Sequence, residues 1–272
     1  MSGKFTPHFG SGSPVQPATA PVVVKAAPNL PDIYLKLDSL PSKSLSYPNN
    51  STIKYRPYTF GELKRFSQSK GLTFRENLDI CMSGIETSFD KNDLTLSDVL
   101  YIGVLRRLST LGTSKVQCPY VCPLCHTPNT RILEMTDLEF EDLQVPELPL
   151  VAEFSFGELE FQPITVGNYQ KLIQLGKDED EVAGMAMQCI DLDFDKALEL
   201  FGSAVHDDAE LLNEVDKVLF HGLKSIPSTC KNSGCGFVAQ IELDGGQALL
   251  MPFRERAVDV KSRIHFGTKT PH

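Results

Sequence analysis

VQCPYVCPLCHTPNT, residues Val116 to Thr130, decides how the rest of the chain is read. Cys122 and Cys125 have the spacing of a zinc knuckle, with Pro123 helping to set a tight turn between them. Two thiolates at that spacing can face one small cation. Val116 and Tyr120 read as strand before the turn, and Arg131, Ile132 and Leu133 as strand after it. A knuckle at the tip of a β-hairpin is half of a zinc ribbon.

The other close cysteine pair is Cys230 and Cys235, in TCKNSGCGF, where Gly234 and Gly236 permit a tight loop. Phe237, Ala239 and Ile241 alternate with Val238, Gln240 and Glu242, which predicts a strand. Asp244-Gly245-Gly246 then reads as a turn into a second strand, Gln247–Phe253. A structural zinc needs four ligands, and an isolated pair supplies two. The expected site is therefore one tetrahedral, structural zinc held by Cys122, Cys125, Cys230 and Cys235. Cys118 is the alternative ligand in the first half, and is equally well read as a small buried hydrophobe. His126 is a further substitute. The competing reading is that the two pairs lie apart and never meet.

The chain has 272 residues, is 41% hydrophobic and 22% charged, and carries a net charge of −9, so a broad phosphate-binding surface is not expected. No run is long and apolar enough for a membrane span, and the first residues lack the apolar core of a signal peptide. Seven cysteines with metal-type spacing suit a reducing compartment better than a disulfide framework. Cys81 and Cys189 fall in apolar helical patterns and read as core.

Composition and pattern divide the chain into four segments. Residues 1–31 are rich in Pro, Gly, Ser, Thr and Ala and read as a flexible N-terminal arm. Within it, Pro21–Lys25 either adds as a strand to a neighbouring sheet edge or stays mobile. Residues 32–135 form a first lobe ending in the knuckle, and residues 136–253 a second lobe with the second cysteine pair. Residues 254–272 turn basic, through Arg254, Arg256, Lys261, Arg263 and Lys269. That tail reads either as a docking element or as a solvated terminus.

The first lobe is expected to open with a strand at Ile33–Leu37. A second strand begins at Leu45 and Tyr47, turns at Pro48–Asn50 and returns over Thr52–Arg56. A helix starts near Phe60. Thr73 and Glu76 form a capping box for the next. FDKNDLTLSD, residues 89–98, lacks the glycine and terminal glutamate of a calcium loop and reads as a polar loop capped at Ser97. In the second lobe, Asp178–Asp180 and Asp193–Asp195 precede helices and Asp207 and Asp208 open one, where acidic groups complement the macrodipole.

Ile53–Phe66 and Leu159–Leu172 match at one constant spacing. Pro57, Thr59 and Gly61 recur as Pro163, Thr165 and Gly167, and each copy runs through helices to a cysteine pair. The predicted fold is therefore α+β, with two similar hairpin-plus-helices lobes arising by internal duplication and joined by a shared four-cysteine, zinc-ribbon-like site.

The sequence has no phosphate-cradling glycine loop, no GxSxG, no HExxH and no HxE upstream of the cysteines. Four cysteines on one ion leave no open position for water, which is the structural pattern. The sequence predicts a protein that is not an enzyme.

Tyr55-Arg56-Pro57-Tyr58-Thr59-Phe60-Gly61-Glu62-Leu63-Lys64, the helix from Leu96 through Arg106 and Arg107, and the cysteine hairpin together resemble the small baseplate hub proteins of T4-like contractile-tailed bacteriophages. The likeness covers residues 32–255. It departs from the family in the long N-terminal arm and in a single Glu62 where a pair is usual. The resemblance implies a non-enzymatic structural or assembly component of the virion tail baseplate, assembled in the host cytoplasm. Its implied partners are baseplate hub, wedge or tail-tube proteins, with no membrane. A resident subunit and an assembly chaperone are both compatible with it. The alternative reading is a zinc-ribbon nucleic-acid-binding or transcription-associated module. That needs a basic ribbon face, and near the knuckle only Lys115, His126 and Arg131 supply one.

Overall fold

A computed structural model of the protein describes residues 33–68, 73–112 and 115–241. The expected arm over 1–31, the strand over Gln247–Phe253 and the basic tail over 254–272 lie outside the described residues.

The first half is built on a three-stranded antiparallel sheet, β1 (Leu35–Lys36), β2 (Ile53–Tyr55) and β3 (Ile85–Thr87), in spatial order 1-2-3. The expected strand at Leu45–Tyr47 is not formed. Residues 41–47 are turns, with Lys43 and Ser44 at positive φ. Tyr47 faces inward, where its hydroxyl donates to Asp98 Oδ2 at 2.5 Å. That side-chain bond replaces a ladder.

Two short helices follow β2: α1 (Phe60–Gln68) and α2 (Phe74–Met82). Thr73 and Glu76 make the expected capping box on α2. The long helix α3 (Leu96–Leu111) is capped by Thr95, whose hydroxyl accepts the Asp98 amide. The cap lies two residues before the expected Ser97, because the polar loop ends in a 3-10 turn at Lys91–Asp93. Val99 and Ile102 of α3 join Leu40, Ile53, Leu78, Cys81, Ile85 and Leu94 in the first core.

Further along α3, Arg106 is fully buried. Its Nε donates to the Arg56 carbonyl at 2.8 Å, and its Nη1 to the Ile80 and Cys81 carbonyls at 2.9 and 2.6 Å. Its Nη2 lies 3.3 Å from both oxygens of Glu62, and its guanidinium sits over the Tyr58 ring. Arg56 holds the same carboxylate in a two-pronged pair at 2.8 and 2.9 Å. Burial alone would raise the Glu62 carboxyl. The Arg56 pair, the Ser83 hydroxyl, the Thr59 amide and Arg106 outweigh it and hold the group well below the usual carboxylate range. A side chain at Gly84 would overlap the Arg106 guanidinium.

The second half begins with the hairpin β6 (Leu150–Phe154) and β7 (Gly157–Phe161). The helices α4 (Val166–Leu175), α5 (Glu181–Gln188), α6 (Phe194–Gly202) and α7 (Asp207–Leu219) follow. Asp180 and Asp193 cap α5 and α6 as their positions predict. Phe154, Phe161, Cys189, Phe201, Leu212, Val215 and Leu219 fill a second core. Asp208 accepts from the Ser155 amide and hydroxyl, pinning the start of α7 to the hairpin turn.

Some positions that match at the constant sequence spacing make similar bonds in the two halves. Thr59 and Thr165 each accept an amide three residues on, at 3.3 and 3.2 Å. The Arg56 amide donates to the Gly84 carbonyl, and the Gln162 amide to the Gln188 carbonyl, at 3.0 and 2.9 Å. The halves are not alike throughout. Gln162 and Asn168 stand where the first half has Arg56 and Glu62, and Asn168 donates to the Met187 carbonyl instead.

The halves meet at their helix starts. Thr95 and Thr165 face each other in an antiparallel bridge, in which the Leu96 amide donates to Ile164 O at 3.0 Å and the Val166 amide to Leu94 O at 2.8 Å. Val166 is thereby buried in the first core. His221, from beyond α7, adds a contact with the Thr95 hydroxyl at 3.0 Å.

Candidate metal centre

Each cysteine pair sits on the turn of a hairpin. β4 (Lys115–Val121) pairs in register with β5 (Pro128–Glu134), and β8 (Ile226–Thr229) with β9 (Val238–Ile241). Both hairpins are held by one small cluster in which Val104 of α3, Cys118, Leu133, Met135 and Ile241 are buried together. Burying these apolar groups fixes the two turns face to face, and the Tyr120 hydroxyl donates across the gap to Ser228 O at 3.3 Å.

The turns share a backbone pattern. The Cys122 amide donates to Thr127 O and the Cys230 amide to Phe237 O, at 3.0 and 2.8 Å. The residue after the second cysteine of each pair has positive φ: His126 at 54° and Gly236 at 61°. That conformation bends each chain so that both cysteines of a pair point inward.

The four sulfurs of Cys122, Cys125, Cys230 and Cys235 all lie within 4.8 Å of one another. Cys122 Sγ is 3.8 Å from Cys235 Sγ, and Cys125 Sγ is 3.6 Å from Cys230 Sγ. A zinc ion about 2.3 Å from each of four tetrahedral sulfurs places them about 3.8 Å apart. The donor set and its size therefore fit such an ion. Cys118 lies in the apolar cluster, where burial pushes its thiol up, and His126 is exposed. Neither belongs to the four-sulfur group.

The electrostatics point the same way. The Thr127 hydroxyl, 3.2 Å from Cys125 Sγ, and the Thr127 amide draw the Cys125 thiol well below its ordinary range. The Phe237 amide also favours a Cys235 thiolate, but burial and the neighbouring Cys125 and Cys122 push that thiol up. Four thiols this close cannot all ionise without a cation between them.

Asn129 and Thr127 were not legible as site residues. Asn129, buried on β5, accepts the Lys231 amide at 2.8 Å through Oδ1. Its Nδ2 donates to Thr127 O at 2.7 Å and points at Cys230 Sγ at 3.7 Å. The one available signal was a polar residue where the alternation of β5 turns inward.

The ribbon's exposed large side chains include Val121, Leu124, Ile132 and Val238. Among the described residues no helix is long and apolar enough to cross a membrane.

No curated protein and no solved structure matches the chain. The family model described as T4 bacteriophage base plate protein matches residues 35–247, from β1 through both cysteine hairpins, and the chain belongs to that family.

Proposed function

We propose that this protein is a non-enzymatic structural or assembly component of a phage tail baseplate hub, working by binding other tail proteins. The family match over residues 35–247 carries the reading. A structural zinc on Cys122, Cys125, Cys230 and Cys235 fits beside it. A four-cysteine ion has no position open to substrate, and its work is to clamp the ends of two small cores. The two halves are read as copies of one strand–helix–knuckle unit. The matched bonds of Thr59 with Thr165 and of Arg56 with Gln162 support that reading.

The domains follow: an arm over 1–31, lobes over 32–135 and 136–253, and a basic tail over 254–272. The place of action is the virion baseplate, reached by assembly in the host cytoplasm. The nucleic-acid reading calls for a basic ribbon face, and here exposed Lys115, Arg131 and Lys231 are interspersed with exposed Val121, Leu124 and Val238, with Lys115 paired to Glu134 on a chain of net charge −9.

The test is mass spectrometry of purified particles, with complementation of a null phage by the wild-type gene. Detection in tails and restored tailed particles are expected for a resident subunit. Restored particles without detection assign an assembly role. No effect on tail formation would contradict both.

A further inference from the structure

Among the described residues β4 pairs with β5 alone and β9 with β8 alone, so each has one unpaired edge. A groove of about 540 Å³ runs between β4 and β9. Pro119, Tyr120 and Val121 line one side of it and Ala239, Gln240 and Ile241 the other, and no residue of β5 or β8 takes part. Successive side chains of a strand point to opposite faces. A groove lined by three residues in a row therefore follows the strand edges and not one face of a sheet. It reaches from Pro123 in the knuckle turn to Ile241, the last described residue. Val121 and Phe237, which also lines it, are 60% and 37% exposed. An unpaired edge beside exposed apolar side chains is a template for another strand.

The chain itself carries a segment of matching pattern. Beyond β9, Asp244-Gly245-Gly246 has the composition of a three-residue hairpin turn, with glycine available where positive φ is needed. Such a turn sets Leu243 opposite Gln247. Leu249 then falls opposite Ile241, Met251 opposite Ala239 and Phe253 opposite Phe237. Directly opposed residues share a face of the sheet. Ile241 and Ala239 are buried, so Leu249, Met251 and Phe253 fall on the buried side. Ala248, Leu250 and Pro252 fall on the other, with exposed Gln240 and Val238. Pro252 has no amide to donate, which an edge strand tolerates.

We infer that residues Gln247–Phe253 of this chain occupy the groove as a third strand on the free edge of β9, with Leu249, Met251 and Phe253 packed against the edge of β4. A three-residue turn tethers the segment to β9, which gives it a high effective concentration at the groove compared with a separate partner. The added strand joins the two cysteine hairpins by apolar contact, independently of any metal. It runs antiparallel to β9, back toward Pro123. The basic segment from Arg254 onward therefore starts beside the knuckle turn, not at the base of the ribbon.

The experiment places a photoreactive benzophenone side chain at Val121 in the full chain, an exposed position on the groove. Irradiation should link it to the peptide carrying residues 247–253, in a product of single-chain mass. Leu249→Asp puts a charge on the buried side and should abolish that link and speed amide hydrogen exchange across residues 247–253. Leu250→Asp, on the opposite face, should leave both at the wild-type level. A link found only in products of two-chain mass would give the groove to a second copy and overturn the proposal. A link to other residues, or none, would also overturn it. Equal loss from Leu249→Asp and Leu250→Asp would contradict the register on which it stands.

Discussion

Asn129 Oδ1 accepts the backbone amide of Lys231 at 2.8 Å, so one buried side chain ties the first cysteine hairpin to the second. The same residue orients Thr127 and faces Cys230 Sγ. Partners outside the ligand shell typically change metal affinity by about 10–100-fold. Asn129→Ala should keep the metal stoichiometry and lower affinity by that order, measured by competition with a chromophoric chelator. Unchanged affinity would remove Asn129 from the account of the site.

Glu62 is the shared anion for Arg56 and the buried Arg106. Glu62→Gln leaves two guanidinium groups without it, and breaking a buried pair costs about 3–5 kcal/mol. Chemical denaturation at neutral pH should show a loss of that size. The carboxyl is depressed in the folded state, so its contribution is full above the ordinary carboxylate pKa and drains as pH falls below it. The wild type should therefore lose stability in acid more steeply than Glu62→Gln, the two curves converging. Parallel curves would contradict the network.

Gly84→Ala should destabilise the first half by about 1–3 kcal/mol, because the added methyl overlaps the Arg106 guanidinium. Pairing it with Arg106→Met tests the cause. The cost of the methyl should shrink in the double variant, and a fully additive cost would place the strain elsewhere.

The two cysteine pairs and most helix starts were legible because each rests on local chemistry. Cys122 and Cys125 declare a turn by spacing, and Thr73, Asp180 and Asp193 declare caps by residue type. What escaped depends on distant partners. Leu45 and Tyr47 alternate like a strand, yet the Tyr47 hydroxyl is taken by Asp98 across the core. Arg106 stood in a recognisable stretch of helix without a role, because its carbonyl acceptors come from two separate segments, Arg56 after β2 and Ile80 and Cys81 at the end of α2. Thr95, the cap of α3, also pairs with Thr165 in the other half, a partner that the local pattern around Ser97 does not show.

Acid should release the metal, since each sulfur binds as thiolate and protons compete for it. Zinc retention should fall as pH drops through the mildly acidic range, followed with a fluorescent zinc indicator, and should return on neutralisation under reducing conditions. Retention independent of pH down to full unfolding would mean that the sulfurs are not the ligands.

The central claim is that one zinc ion joins the two hairpins through Cys122, Cys125, Cys230 and Cys235. Elemental analysis of the purified protein, beside Cys122→Ser and Cys235→Ser, tests it most directly. The account predicts one zinc per chain in the wild type, with loss of both metal and protease resistance in each variant. A variant that is metal-free yet folded and as stable as the wild type would contradict it.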